Sequence, residues 1–313
     1  MKMPGIGVIL NPYSRSNKRN PDRIRQFGFI VGDKGSCYST DTLDHVKYLA
    51  KEFKERDIEI LGISGGDGTN HKTLSAFIEV YGEKPLPKIA ILRGGTMNNL
   101  AWQLGIQGRP EKILSDLIIK YHNGESFREV DINMIRVNGS YGFLLGMGLI
   151  ERFIDVYQNV KGGPTPARGM ALLVKASLSS LVNGRMAQML VERFNARIYI
   201  DGKLQPFKNY MMIFSGTMQT LGFNFRPLYR GASEVGKFQF VGISCTGMQL
   251  VKTFHRALLA KPANSEHYVD EMGSEVVMEF DEPMAYTIDG DHAPEKAKVI
   301  KIEVGPLLKC IIP

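Results

Sequence analysis

The chain has 313 residues, of which 43% are hydrophobic and 23% charged, ordinary globular usage with enough length for two domains. Lys and Arg outnumber Asp and Glu by 39 to 32, giving a net charge of +7 that favours an anionic partner: nucleic acid, a phosphorylated substrate or an anionic membrane surface. The basic residues are scattered apart from Arg15, Lys18, Arg19 and Arg23, and no zinc-finger or RNP-like motif accompanies them, so nucleic acid is set aside as a partner.

In chain order, Met1 to Leu10 carries one Lys and a short apolar run ending at Asn11-Pro12, which predicts a first buried strand, Ile6 to Leu10, rather than a cleavable leader. Thr42 to Lys54 sets Leu43, Val46, Ala50 and Phe53 at helical spacing with Thr40 and Asp41 available as caps. Strands are predicted at Ile58 to Ser64 and Lys88 to Arg93, and helices at Asn70 to Tyr81 and Glu111 to His122. This alternation is the signature of a parallel sheet covered by helices. From Phe127 onward short strand-like runs follow one another, with turn signals at Asn138-Gly139 and Asp201-Gly202, which predicts antiparallel structure. Its candidate strands are Val130 to Val137, Tyr141 to Leu145, Ala196 to Ile200, Tyr210 to Phe214, Phe238 to Ile243, Glu275 to Phe280, Ala285 to Ile288 and Val299 to Val304. Candidate helices are Gly169 to Val182, whose basic flanks would also suit a membrane surface, and Met248 to Leu259. The expected domains are 1–128, an α/β nucleotide-binding domain, and 129–313, an antiparallel β-sandwich, with the last residues free to return to the first domain. No apolar stretch reaches the about 20 residues needed to span a bilayer. The odd cysteine count, Cys37, Cys245 and Cys310, fits a reducing compartment, so a cytoplasmic protein is expected.

The most informative stretch is the apolar run Ile58 to Ser64 leading into Gly65-Gly66-Asp67-Gly68-Thr69-Asn70. Ligands of open parallel sheets bind beyond the carboxyl ends of the strands. Glycines there let backbone N–H groups approach phosphate oxygens, and a following helix N-terminus adds a favourable dipole. Asp67 would repel bare phosphate and makes sense facing a metal ion or a reacting hydroxyl; the plain alternative is a tight turn whose Asp caps the helix. A second loop of the same design, Arg93-Gly94-Gly95-Thr96-Met97-Asn98-Asn99, follows the next strand. Two such loops on successive parallel strands can clasp one polyphosphate, and Thr96 and Asn98 offer groups that position phosphate rather than attack it.

Gly-Gly-Asp-Gly-Thr followed by Gly-Thr-x-Asn resembles the catalytic domain of diacylglycerol, sphingosine and ceramide kinases and their bacterial lipid-kinase relatives. The likeness extends to Asn11-Pro12-Tyr13-Ser14, to Val130-Asp131-Ile132, to the Gly-rich strand Gly142 to Gly148, and to Asp289-Gly290-Asp291 where the family has Asp-Gly-Glu. The resemblance implies a two-domain kinase with ATP and Mg²⁺ in the cleft between the domains, a lipid acceptor such as diacylglycerol, and peripheral contact with the inner face of the cytoplasmic membrane. It implies nucleotide contacts for Asn11, Gly65, Gly66, Asp67, Gly68, Thr69, Gly95, Thr96 and Asn98. It further implies that Asp67 and Asp131 join the metal-linked catalytic network and that Asp289 is the general base or orients the acceptor hydroxyl. No metal-ligand set is assigned from the sequence.

The departures from the family pattern are specific. Asn99 stands where the family often has Asp, Asp291 replaces a Glu, Arg15-Ser16 replaces Gly-Lys, and Ser233-Glu234-Val235-Gly236 replaces an Asp-Asp-Gly turn that holds a structural Mg²⁺ in some relatives. Gly66 to Thr73 imitates a Walker A loop, but His71 occupies its second Gly. Two alternatives stay open on the sequence: a soluble kinase of the NAD-kinase type, which shares the Gly-Gly-Asp-Gly-Thr loop, and a lipid- or nucleotide-binding protein with weak or no catalysis.

Overall fold

The computed structural model describes residues 5–32, 35–160, 192–220, 225–263 and 265–313, together with 165, 167–169, 171 and 172. The chain divides into two compact units, Met1–Ile132 with Pro306–Pro313, and Asn133–Gly305.

The first unit runs through Ile6–Leu10 (β1), Arg15–Lys18 (α1), Arg23–Val31 (α2), Gly35–Ser39 (β2), Leu43–Glu55 (α3), Ile60–Ser64 (β3), Asp67–Tyr81 (α4), Lys88–Ile91 (β4), Asn99–Gln103 (α5) and Pro110–Asn123 (α6). β1 pairs in parallel with β2 and β3, and β3 with β4, so the carboxyl ends of all four strands lie along one sheet edge. β1 and β3 are buried at every residue, which is why their sequences read as unbroken apolar runs. Helix α3 starts where Thr42 accepts the His45 N–H through its side chain at 3.2 Å, and it buries Val46, Leu49, Ala50 and Phe53. α6 opens with Pro110 at its start and stops at Gly124 in the left-handed conformation.

Arg128–Val137 (β5) begins in the first unit and leads into the second. There follow Ser140–Gly142 (β6), Leu144–Gly148 (β7), Leu149–Gln158 (α7), Phe194–Ile200 (β8), Lys203–Leu204 (β9), Asn209–Tyr210 (β10), Met212–Gly216 (β11) and Phe238–Ile243 (β12). Gly247–Leu258 (α8), Tyr268–Gly273 (β13), Glu275–Met284 (β14), Tyr286–Ile288 (β15), Asp291–His292 (β16) and Ala297–Ile312 (β17) complete the chain. Every pairing within this unit is antiparallel, in a six-stranded sheet ordered β13-β12-β11-β7-β15-β16 and a second sheet in which β10, β8, β14 and β17 are successive neighbours. Leu145, Met147, Ile213 and Phe240 of the former share one core with Ile198, Met278, Ile300 and Ile302 of the latter, which makes the unit a sandwich. The protein is therefore α/β in its first unit and antiparallel β in its second.

The long strand β17 carries the chain back to the first unit, where Cys310 lies parallel to Ile89 of β4. The sequence places the end of this strand at Val304, whereas it continues to Ile312. Helix α4 begins at Asp67 rather than at Asn70, so the glycine-rich motif is itself the first helical turn. Of the candidate helix Gly169 to Val182, all but residues 169, 171 and 172 lie outside the described residues. Among the described residues no helix is long and apolar enough to cross a membrane.

Candidate active site

Parallel strands β1, β3 and β4 end side by side, and the loops that follow them are locked together by backbone contacts. Asn11, directly after β1, donates its N–H to Ser64 O at 2.9 Å and its Nδ2 to Thr69 Oγ1 at 2.9 Å. Ser14 Oγ donates to the carbonyl of Gly94 at 2.9 Å. The two glycine-rich loops meet main chain to main chain: a Cβ on Gly94 would stand 2.6 Å from Gly65 N, and one on Gly95 would fall on Gly66 Cα. Only glycine permits that approach.

A buried polar relay holds this junction from behind. Asn17 Nδ2 donates to Asn11 O at 2.8 Å and to Ser64 O at 3.0 Å, tying the ends of β1 and β3. Its Oδ1 accepts from Arg23 Nη1 at 2.9 Å, while Arg23 Nε donates to Glu111 Oε1 at 2.7 Å. Burial pushes the Glu111 carboxyl up, but the Arg23 guanidinium, its own backbone N–H and Asn20 outweigh that and hold it below the ordinary glutamate range. A carboxyl lowered on folding stabilises fully above its unfolded value and loses that contribution as pH falls through the lowered one. Urea unfolding of wild type and Glu111→Gln should therefore differ at neutral pH and converge below about pH 4.3. A difference that persists unchanged at lower pH would rule out the ion pair as its source.

The structure gathers Asn11, Gly65, Gly66, Asp67, Gly68, Thr69, Gly95, Thr96 and Asn98 at this one edge. Gly66 is the N-cap of α4 and provides no side-chain cap, which leaves the first-turn N–H groups without side-chain acceptors from that position. Asp67 is half-buried, and its Oδ1 faces the Leu100 N–H at 3.4 Å, reaching from the first loop to the helix after the second. Asn98, buried and left-handed (φ 52°), exchanges hydrogen bonds with Gly95, accepting its N–H at 2.9 Å and donating to its carbonyl at 3.1 Å. It shapes its own loop rather than capping α5. Thr96 is exposed on the same loop.

Asp131 is exposed on β5. Burial, with the Asp131 charge adding to it, pushes the Cys310 thiol up to about 12. Asp289 belongs to the second unit, where it occupies the turn between β15 and β16 with φ 51°. Its Oδ1 accepts the N–H groups of Phe143 at 3.0 Å and Leu144 at 2.8 Å, and its Oδ2 accepts that of Phe143 at 3.1 Å. A Cβ on Gly142 would meet Asp289 Oδ2 at 3.1 Å, so the glycine of β6 makes room for this carboxylate. Among the described residues no group of three or more His, Cys, Asp or Glu side chains is arranged to hold a metal ion.

Residues 5–131, which contain all three loops, match the diacylglycerol kinase catalytic domain. Over that stretch the chain is similar to that family. The chain is accordingly a kinase of the lipid-kinase class. It is similar to a diacylglycerol kinase of Bacillus subtilis (strain 168), 24% identical over 291 residues that cover 91% of this chain and 89% of the relative. The fold of the chain is similar to the crystal structure of a diacylglycerol kinase from Bacillus anthracis str. Sterne, with TM-score 0.67, 16% identity and coverage of 100% of this chain and 98% of the other. It also shares its fold with yeast NADH kinase complexed with NADH, at TM-score 0.53 and 10% identity over 99% of this chain and 83% of that one.

Sequence reasoning missed Asn17 and Glu111. Asn17 is a polar residue in a polar segment, and its partners Asn11, Ser64 and Arg23 converge only when strands β1 and β3 pair. Arg23 drew notice as one of several N-terminal cations, whereas it is buried and committed to Glu111.

Proposed function

We propose that the protein transfers the γ-phosphate of ATP to the primary hydroxyl of a diacylglycerol-like lipid at an anionic membrane surface. The observation that carries this reading is the main-chain contact between Gly65-Gly66 and Gly94-Gly95 at the start of α4, in a domain of the lipid-kinase family. An uncapped helix N-terminus framed by side-chain-free backbone suits a polyphosphate. In this reading the N–H groups of Gly66, Gly68 and Thr69 meet phosphate oxygens, Asn11 fixes Thr69, and Gly95, Thr96 and Asn98 form the opposite wall.

Magnesium commonly binds through one or two carboxylates plus substrate phosphates, so a single acidic side chain beside the phosphate donors fits it. Asp67 is that carboxylate, and Asp131 is assigned to the hydrogen-bond network around the charge. When bound, the ion would screen the phosphate charge. Asp289 orients the acceptor hydroxyl or takes its proton, its carboxylate being held in place by the Phe143 and Leu144 amides.

An acceptor panel tests the proposal. With labelled ATP and Mg²⁺, diacylglycerol in mixed micelles should be phosphorylated faster than ceramide, sphingosine or a monoacylglycerol, and NAD should not be labelled. Labelling of NAD alone would replace the lipid acceptor with a soluble one.

A further inference from the structure

Helices α2 and α6 wall an open groove, entirely within the first unit, whose inner end is lined by Gly95, Thr96 and Asn98 of the second glycine loop. Its sides carry Arg25 and Phe29 from α2, Arg93 from the loop after β4, and Arg109 and Lys112 from the start of α6. The acidic residue of the groove, Glu111, is already neutralised by Arg23. Arg25 and Arg109 are exposed and make no ion pair among the described residues, and Lys112 holds only the surface partner Asp116. Arg93 touches Gly108 O through Nη1 at 3.4 Å, while its buried Nε has no hydrogen-bond partner.

Phe29 lies one helical turn beyond Arg25 on the same face of α2 and is 91% exposed. A full aromatic ring in water next to unpaired guanidinium groups is an unusual pairing for a surface that meets only solvent. It matches a surface that meets phosphate headgroups and the acyl boundary beneath them, where cations hold the phosphates and an aromatic ring enters the apolar layer.

We propose that this groove docks the protein on anionic phospholipid, with headgroup phosphates between Arg25, Arg93 and Arg109 and Phe29 inserted at the acyl boundary. The inference rests on the lipid-kinase reading for its purpose, since it names the surface that brings the enzyme to an acceptor confined to a membrane. It does not need the chemistry to be correct, so the two fail separately.

The test uses the full chain and vesicles of phosphatidylcholine with and without phosphatidylglycerol. Wild type should sediment with the anionic vesicles in a salt-sensitive manner, and Arg25→Glu with Arg109→Glu should weaken that binding at least about tenfold. Activity of the double variant on diacylglycerol in detergent micelles should stay at the wild-type level, which separates docking from catalysis. Trp102 is the one tryptophan of the chain, so Phe29→Trp combined with Trp102→Phe provides a single reporter at the groove. Its emission should shift to the blue on adding anionic vesicles and not on adding inorganic phosphate. Undiminished vesicle binding by the double variant, an emission shift with phosphate alone, or displacement from vesicles by saturating ATP would overturn the proposal, the last by assigning the groove to the nucleotide.

Discussion

Gly95→Ala is expected to lower phosphoryl transfer at least about 100-fold while leaving a folded protein. The added methyl has no rotamer through which to escape, because its obstacle is the Cα of Gly66 and not a side chain. The loops after β3 and β4 must separate, and a misplacement of about 1 Å in a positioning site costs roughly that factor in rate. Stability should fall by about 1–3 kcal/mol, as for overpacked positions elsewhere. Gly28→Ala is the matched control: a Cβ there meets nothing within 4 Å, and the position lies inside helix α2. It should gain a few tenths of a kcal/mol to about 1 kcal/mol and keep full activity. Equal activity in Gly95→Ala and Gly28→Ala would mean that the loop contact is not part of the phosphate site.

The second large effect is expected at Asp289, where two substitutions divide scaffold from chemistry. Asp289→Ala removes the acceptor of the Phe143 and Leu144 amides and puts alanine at a positive φ, so urea denaturation should report a loss of about 3 kcal/mol. Asp289→Asn keeps both amide bonds through its carbonyl oxygen, since Oδ1 already serves both, and asparagine tolerates the left-handed backbone. A loss of turnover in the Asn variant at unchanged stability therefore reports on the carboxylate charge rather than on the scaffold. A group acting on the acceptor proton should lose about 100-fold or more with ATP affinity intact. Retention of more than about a tenth of wild-type turnover would reduce Asp289 to an anchor for the turn between β15 and β16.

Much of the first unit was legible because β1 and β3 are buried throughout and α3 presents a clear apolar stripe. β1, β3 and β4 read as apolar runs, and α3 announced itself through the spacing of Leu43, Val46, Ala50 and Phe53, although its cap is Thr42 rather than Thr40 or Asp41. The three elements between β1 and α3 were not read: α1 is a single polar turn, and β2 and α2 each have a physical reason. Strand β2 is a sheet edge of Gly-Ser-Cys-Tyr-Ser with no fully buried residue, so no apolar alternation marks it. In α2 a buried face that includes Arg23 along with Phe27 and Val31 breaks the hydrophobic stripe. Helix α7 follows directly on a glycine-rich strand and was not read, although Leu149, Ile150, Phe153, Ile154 and Tyr157 carry a helical pattern.

The glycine loops were visible at once, since only glycine allows their backbone approach and the sequence places four glycines there. What the sequence could not carry was the cross-chain wiring. The hydrogen bonds from Asn17 to Ser64 and from Arg23 to Glu111 join residues 47 and 88 positions apart, and no local spacing signals them. The anchoring of Asp289 by Phe143 and Leu144 spans 146 and 145 positions and was equally silent.

The central claim is that the first unit positions ATP for transfer of its terminal phosphate to a lipid hydroxyl, with Asp67 as the acidic side chain at the phosphates. It is tested most directly by incubating wild type and Asp67→Asn with diacylglycerol, Mg²⁺ and ATP labelled either at the γ- or at the α-phosphate. The account predicts lipid labelling from the γ-position only, dependent on Mg²⁺, and reduced by about 100-fold or more in Asp67→Asn at an unchanged fold. Absence of γ-label from every lipid acceptor, or equal labelling by the Asp67→Asn protein, would contradict it.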